Sequence, residues 1–215
     1  MALLALFDVD GTLFLTHDPL SSEALLATLR ELYAVAPPSD AVEQVDHAGQ
    51  TAKRIARLVL RSEGLDDSAI DPSLEECCAR FGDRYVALLE AKQPDGWQAA
   101  PGAADALSQL RDGGIRLALV TGNPEPMARA RMVRLGLDGF FPAGQGAFGC
   151  DREKRAELID LARRRAGDWA AAQTVEIGDT PRDVSTAHDA GVRSIVVGPE
   201  RGLAGAAELL LAWNG

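Results

Sequence analysis

Residues 2–13 read ALLALFDVDGTL, and this stretch decides the fold. Its continuous apolar run, residues 2–7, is typical of a strand buried on both faces of a parallel sheet. In open parallel sheets, ligands bind beyond the carboxyl ends of the strands. We therefore expect Asp8 and Asp10 to lie at a ligand-binding edge. Gly11 would let the backbone turn tightly and approach a ligand closely.

Strand and helix patterns alternate in the second half of the chain. After residue 96, apolar strand-like runs cover 115–120, 173–177 and 192–197, with a weaker candidate between 140 and 148. Helical patterns separate them at 101–111, 124–135, 152–166, 181–190 and 203–213. This alternation predicts βαβ units and a parallel sheet. The expected fold class is α/β, with a Rossmann-like core formed by residues 1–14 and 96–215.

The intervening residues 15–95 show a different pattern. Apolar residues recur at helical spacing around 21–33, 51–60 and from 71 onward, without strand-like alternation. We therefore predict an all-helical cap domain over residues 15–95, inserted after the first strand.

Composition excludes several classes of protein. The 22 basic and 32 acidic residues give a formal charge of −10, which argues against nucleic-acid binding. No apolar run approaches the roughly 20 residues of a membrane span. The three cysteines form neither a disulfide framework nor a zinc-binding spacing. We expect a reduced cytoplasmic protein, either a monomer or a homodimer.

Two further strand ends carry polar side chains. Thr121, Gly122 and Asn123 follow the strand at 115–120, where a hydroxyl and backbone N–H groups can hold a phosphate or simply cap the next helix. Asp179 and Asp183 follow the strand at 173–177; Asp183 alone could serve a helix dipole. Four carboxylates at one sheet edge repel one another unless a cation joins them, and oxygen ligands suit Mg²⁺.

A basic residue must offset the charge of an anionic substrate, and two candidates stand side by side. Lys154 and Arg155 lie near the start of the helix predicted over 152–166, and adjacent helical residues point about 100° apart. Arg155 lies near the middle of the apolar stripe formed by Leu158, Ile159 and Ala162, whereas Lys154 lies at its edge. The pattern favours Arg155 as the residue that points inward and Lys154 as a solvated one.

Together these motifs resemble the haloacid-dehalogenase-like hydrolase superfamily, and within it the phosphoglycolate-phosphatase-like members with a helical cap. The resemblance implies that Asp8 is the nucleophile and Asp10 the general acid/base. It implies that Asp179 binds Mg²⁺ with Asp8 and the backbone carbonyl of Asp10, while Asp183 supports the metal. The residues then expected to hold the phosphoryl group and substrate are Gly11, Thr12, Thr121, Gly122, Asn123 and either Arg155 or Lys154.

The cap offers a candidate specificity loop. Gln50 and Thr51 precede a helix and resemble the substrate loop of such caps, although a plain helix-start turn explains them equally well. The resulting hypothesis is a Mg²⁺-dependent phosphatase that hydrolyses a small phosphorylated metabolite, a phosphoglycolate-like phosphomonoester, through an aspartyl-phosphate. Two alternatives stay open, a sugar phosphomutase and a non-catalytic regulatory domain that binds Mg²⁺ and phosphate.

Overall fold

The computed structural model describes residues 2–215 and contains one four-stranded sheet. The strands are β1 Leu4–Phe7, β2 Arg116–Leu119, β3 Thr174–Gly178 and β4 Arg193–Val196. They are all parallel, in the order β2-β1-β3-β4. The apolar run that precedes Asp8 is thus a central strand, flanked on both sides, which explains why it contains no polar residue. The α/β parallel fold predicted from the sequence is confirmed.

Helices cover both faces of the sheet and form the insertion. In chain order they are α1 Leu20–Tyr33, α2 Ala52–Ser62, α3 Asp67–Ile70, α4 Leu74–Lys92, α5 Ala103–Asp112, α6 Glu125–Leu135, α7 Arg155–Arg165, α8 Pro181–Asp189 and α9 Leu203–Asn214. Alternate residues of β1 face opposite layers. Ala5 and Phe7 pack with α5, α6 and α9, whereas Leu4 and Leu6 pack with α7 and α8.

The insertion between β1 and β2 is helical, as expected. Residues 15–95 contain α1 to α4 and no strand. They bury a second apolar cluster of their own, which includes Leu29, Ile70 and Tyr85. Met127 of α6 joins this cluster, so the insertion packs directly against the sheet-bearing part. The exact domain boundaries at residues 14/15 and 95/96 stay a prediction.

Two segments connect the sheet-bearing part of the chain to the insertion, one leading in and one leading out. These two chain crossings pair with each other. The amide of Leu15 donates to Gln98 O at 3.0 Å, and the amide of Ala100 donates to Leu13 O at 3.0 Å. The rings of Phe14 and Trp97 lie 4.8 Å apart. This pairing holds both crossings at the edge of the sheet that carries Asp8 and Asp10.

The structure differs from the sequence prediction at residues 140–148 and at the start of the helix predicted over 152–166. The weak strand candidate between residues 140 and 148 is reduced to a single bridge between Val120 and Ala147. Gly144 and Gly146 there have φ of 75° and 91°, far from the negative φ of a regular extended strand. The helix predicted over 152–166 begins only at Arg155, because Lys154 is its extended N-cap residue.

Among residues 2–215, no helix combines the length and apolarity needed to cross a bilayer.

Candidate active site

Three carboxylates meet at the carboxyl end of the sheet. Asp8 follows β1, Asp179 follows β3, and Asp183 lies in the first turn of α8. One oxygen atom from each lies within 4.8 Å of the other two. Two of these residues lie far from the first in sequence, and the parallel sheet brings them together because neighbouring strands end at the same edge.

Local sequence explains how the acids approach so closely. Asp183 forms a capping box with Thr180, whose hydroxyl and backbone N–H donate to Asp183 Oδ2 at 2.7 and 2.9 Å. Gly11 has a φ of 75°, and a Cβ there would overlap the Asp179 carboxylate. Thr12 is buried and donates its hydroxyl to Asp179 Oδ1 at 3.3 Å. The turn after β1 therefore packs against the acid that follows β3.

Burial and mutual repulsion perturb these carboxyl groups. Burial raises the pKa of Asp8 to about 6; Arg155 opposes the shift, and the charges of Asp183 and Asp10 add to it. Burial and the charge of Asp183 also raise the pKa of Asp179. A divalent cation would relieve both effects, and a set of carboxylate oxygens is the donor type that Mg²⁺ prefers. The residues present therefore fit a Mg²⁺ site.

Arg155 and Lys154 occupy different environments. The Arg155 guanidinium is buried, with Nη2 3.2 Å from Asp8 Oδ2, 2.7 Å from Asp183 Oδ1 and 3.7 Å from Glu176 Oε1. Burial lowers the pKa of Arg155, but the carboxylates of Asp8, Asp183 and Glu176 outweigh it and keep the group charged. Lys154 is exposed. Only Arg155 of this pair is in the site.

The remaining polar residues predicted at the edge line the same cavity. Thr121 is buried at the end of β2, and its hydroxyl accepts from the amide of Asn123 at 3.4 Å. The Asn123 side-chain amide donates to Asp10 Oδ2 at 2.6 Å. The Asp10 carboxylate is thus held beside the three-acid group without belonging to it. Asp8, Asp10, Thr121, Asn123 and Arg155 all contribute to the cavity wall.

The insertion forms part of the wall of this cavity, which has a volume of about 400 Å³. Its contributions to the wall include Ser21, Ser22, Leu25, Val42, Glu43, Ile55 and Phe81. The N-terminus of α2 is seated on the sheet edge, since the Ala52 amide donates to Gly122 O at 2.8 Å. A Cβ at Gly122 would overlap the carbonyl oxygen of Gln50. The glycine after Thr121 therefore permits this close contact between the insertion and the sheet.

Gln50 and Thr51, the predicted specificity loop, are used differently. Gln50 lines the cavity. Thr51 is fully buried; its hydroxyl caps α2 by accepting from the Arg54 amide and donates to Glu153 O at 2.8 Å. Thr51 thus fixes the position of the loop, and only Gln50 of the two lines the cavity.

Sequence reasoning missed two charged groups of the site. Glu176 lies inside β3, and its fully buried carboxylate has no hydrogen-bond partner among the described residues. An acid in the middle of a strand buried on both faces was the available signal. Arg131 is buried in α6 and contacts Asp10. Its place in the apolar stripe with Met127, Ala128 and Met132 was the corresponding signal.

Residues 3–191 match the family described as haloacid dehalogenase-like hydrolase. The chain belongs to this family. The hydrolase class predicted from the sequence motifs is confirmed. The family match spans β1 to the end of α8, so it includes every acid of the site.

Curated relatives of this hydrolase agree with the family, and a solved structure of another protein shares its fold. The chain is 28% identical over 194 residues to a phosphoglycolate phosphatase of Pseudomonas putida, covering 89% of this chain and 68% of the relative. It is 32% identical over 199 residues to one of Rhodospirillum rubrum, covering 89% and 78%. The fold resembles CbbY of Rhodobacter sphaeroides in complex with xylulose-1,5-bisphosphate, with a TM-score of 0.64, 23% identity and coverage of 95% and 92%.

Proposed function

We propose that this hydrolase is a Mg²⁺-dependent phosphatase that acts on a small phosphorylated metabolite, a phosphoglycolate-like phosphomonoester. One observation carries the proposal. One oxygen each of Asp8, Asp179 and Asp183 lies within 4.8 Å of the other two. Asp8 and Asp179 line the cavity, and Arg155 lies 3.2 Å from Asp8. A nucleophile, a cation site and a fixed positive charge are the parts that phosphoryl transfer needs.

The proposed reaction has two steps. The Asp8 carboxylate attacks phosphorus, the bond to the leaving oxygen breaks, and Asp10 donates a proton to that oxygen. Water then attacks the aspartyl-phosphate, Asp10 accepts its proton, and inorganic phosphate leaves as Asp8 is restored. Arg155, Thr121 and Asn123 would hold the phosphoryl oxygens and stabilise the charge that develops on them.

Asp8 and Asp179 would hold Mg²⁺, with Asp183 supporting it. The bound ion supplies charge neutralisation at the phosphoryl group. Burial raises the pKa of Asp8 to about 6. The charge of Arg155 lowers this pKa, and the charge of Asp183 raises it further. A nearby dication would favour the ionised form that the attack requires.

The volume of the cavity and the names of the relatives both bear on the class of substrate. A volume of about 400 Å³ suits a small metabolite. The relatives named phosphoglycolate phosphatase support a substrate of this class.

The three cysteines are free thiols, and we place the activity in the reducing cytoplasm.

The test is phosphate release from a panel of phosphomonoesters that includes 2-phosphoglycolate, glycerol phosphates and sugar phosphates. We expect turnover that requires Mg²⁺, stops with EDTA and is lost in Asp8→Asn. Asp189→Asn, which changes an exposed acid at the end of α8, is the matched control and should retain full turnover. Failure of the wild type on the whole panel, or full turnover by Asp8→Asn, would overturn the proposal.

A further inference from the structure

Arg131 is a buried arginine in a place where helix packing alone does not require one. Its side chain is 2% exposed, and it lies in the apolar face of α6 beside Met132. A buried guanidinium is unfavourable unless its donors and its charge are matched. The partners of Arg131 therefore indicate what it does.

Each end of the guanidinium fork contacts a different part of the molecule. Nη1 donates to Asp10 Oδ1 at 2.7 Å, Nη2 donates to Asp18 Oδ2 at 2.9 Å, and Nε donates to the Tyr85 hydroxyl at 3.1 Å. The guanidinium also lies 4.7 Å from the centroid of the Phe14 ring. Asp10 is at the sheet edge, Asp18 and Phe14 are on the crossing into the insertion, and Tyr85 is in α4.

The partners of Arg131 are also bound to one another. The Tyr85 hydroxyl donates to Asp18 Oδ2 at 2.6 Å, and Asp18 Oδ1 accepts from the Leu20 amide at 3.1 Å. Asp18 is buried and compensates the charge of Arg131. The pair Arg131–Asp18 is thus an anchored unit that presents Nη1 to Asp10.

Asp10 is held at both oxygens. Arg131 binds Oδ1 and the Asn123 side-chain amide binds Oδ2, although the Asp10 side chain is 53% exposed. An exposed carboxylate would otherwise sample several rotamers. The two hydrogen-bond donors, each fixed in its own position, restrict the Asp10 side chain to one rotamer.

We propose that Arg131 is a positioning residue that orients the Asp10 carboxylate and ties that orientation to the helical insertion through Asp18 and Tyr85. This inference rests on the proposed function, in which Asp10 transfers the protons. A general acid must lie within hydrogen-bond reach of the leaving oxygen. A displacement of about 1 Å can cost about 100-fold in rate.

The experiment uses two substrates that differ in their need for an acid. The phenol released from 4-nitrophenyl phosphate leaves readily without protonation, whereas the alcohol released from 4-nitrobenzyl phosphate requires a proton. Release of each alcohol is measured under single turnover with Mg²⁺. In Arg131→Met we expect the 4-nitrobenzyl rate to fall at least about 30-fold and the 4-nitrophenyl rate by less than about 3-fold, because general acid catalysis contributes roughly 10²–10⁴-fold.

Three further variants separate positioning from loss of structure. Arg129→Met is the matched control, because Arg129 lies in the same helix and binds the carbonyls of Phe141, Pro142 and Gln145 rather than Asp10. It should leave the ratio of the two rates unchanged. Tyr85→Phe removes one hydroxyl and should lower the 4-nitrobenzyl rate selectively, by a smaller factor. Arg131→Lys keeps a charge but lacks the three-way fork, so it should not restore the ratio.

The outcomes distinguish this inference from the proposed function. A wild type that hydrolyses neither compound nor any panel substrate overturns the proposed function. In that case crystals of Arg131→Met decide the inference, and an Asp10 carboxylate in its wild-type position overturns it. If the wild type is active, an equal fall in both rates in Arg131→Met, or restoration of the ratio by Arg131→Lys, overturns the inference alone.

Discussion

The Nη2 atom of Arg155 lies 3.2 Å from Oδ2 of Asp8. A phosphoryl group attached to Asp8 would therefore lie beside a positive charge that is already in place. Both side chains are buried, so the attraction between them is little screened by water. Preorganised charge of this kind needs no rearrangement during the reaction.

Replacement of Arg155 should be far more damaging than replacement of its neighbour. We expect Arg155→Ala to lower kcat/KM by about 10²–10³-fold, the cost of one removed electrostatic contact to the transition state. Lys154→Ala should stay within about twofold, because Lys154 is exposed and outside the site. Steady-state kinetics on one substrate measure both, and the reverse ranking would contradict the assignment.

Mg²⁺ should stabilise the folded protein by binding to the acid group. At a concentration about 100-fold above Kd, a ligand adds about 2.7 kcal/mol to the free energy of unfolding, which for a chain of this size is roughly 5–10 °C in Tm. Asp179→Asn should abolish most of this increase. Asp189→Asn should keep it, because Asp189 is exposed at the other end of α8. Thermal melts with EDTA and with Mg²⁺ provide the measurement, and an equal increase in all three proteins would argue against the site.

Glu176 should make stability depend on pH. Burial raises its pKa to about 8, partly offset by the charge of Arg155. The folded protein therefore holds this proton more tightly than the unfolded chain does. The contribution of the group to stability is fully present below about pH 4.5, its unfolded value, and is lost as pH rises towards 8.

Glu176→Gln removes this titration while nearly preserving the shape of the side chain. The Tm of the variant minus that of the wild type should therefore increase between pH 5 and pH 8, by about 3 °C or more. Melts in EDTA at several pH values measure it. Glu157→Gln, which changes an exposed residue in the first turn of α7, is the matched control with no expected trend. A difference that is flat or falls with pH would refute the buried-acid interpretation.

Gly122 should be intolerant of a side chain. A Cβ there would overlap the Gln50 carbonyl, so Gly122→Ala must displace the N-terminus of α2 from the sheet edge. Overpacking of this kind costs about 1–3 kcal/mol, and we expect a higher KM together with a lower Tm. Gly139→Ala, where a Cβ meets nothing within 4 Å, should alter neither quantity. Equal behaviour of the two variants would show that the loop does not dock on Gly122.

The sequence predicted the parts of the site that depend on strand ends. Apolar runs locate the strands, and parallel strands bring the residues that follow them to one edge. Asp8, Asp179 and Asp183 meet there for that reason. The family motifs, and with them the hydrolase class, are equally local in sequence. The fold class required only the alternation of strands and helices.

Other features could not be predicted in this way. Periodicity placed Arg155 on the buried face of its helix, but it did not predict where the helix begins. The helix begins at Arg155 itself, and Lys154 precedes it as an extended residue. The Thr51 hydroxyl is directed to Glu153 rather than to the cavity. Such outcomes depend on how a side chain packs against residues of other elements, which a local pattern does not specify.

By itself, the sequence determined the α/β fold, the helical insertion, the acids at the sheet edge and the family. Only the tertiary structure decided that Arg131 binds Asp10, a residue 121 positions away in the sequence. The same holds for the 3.7 Å approach of Glu176 Oε1 to Arg155 Nη2. The physical reason is the range of the interactions. Strand and helix patterns arise from neighbouring residues, whereas buried charges find partners only after distant elements pack together and exclude water.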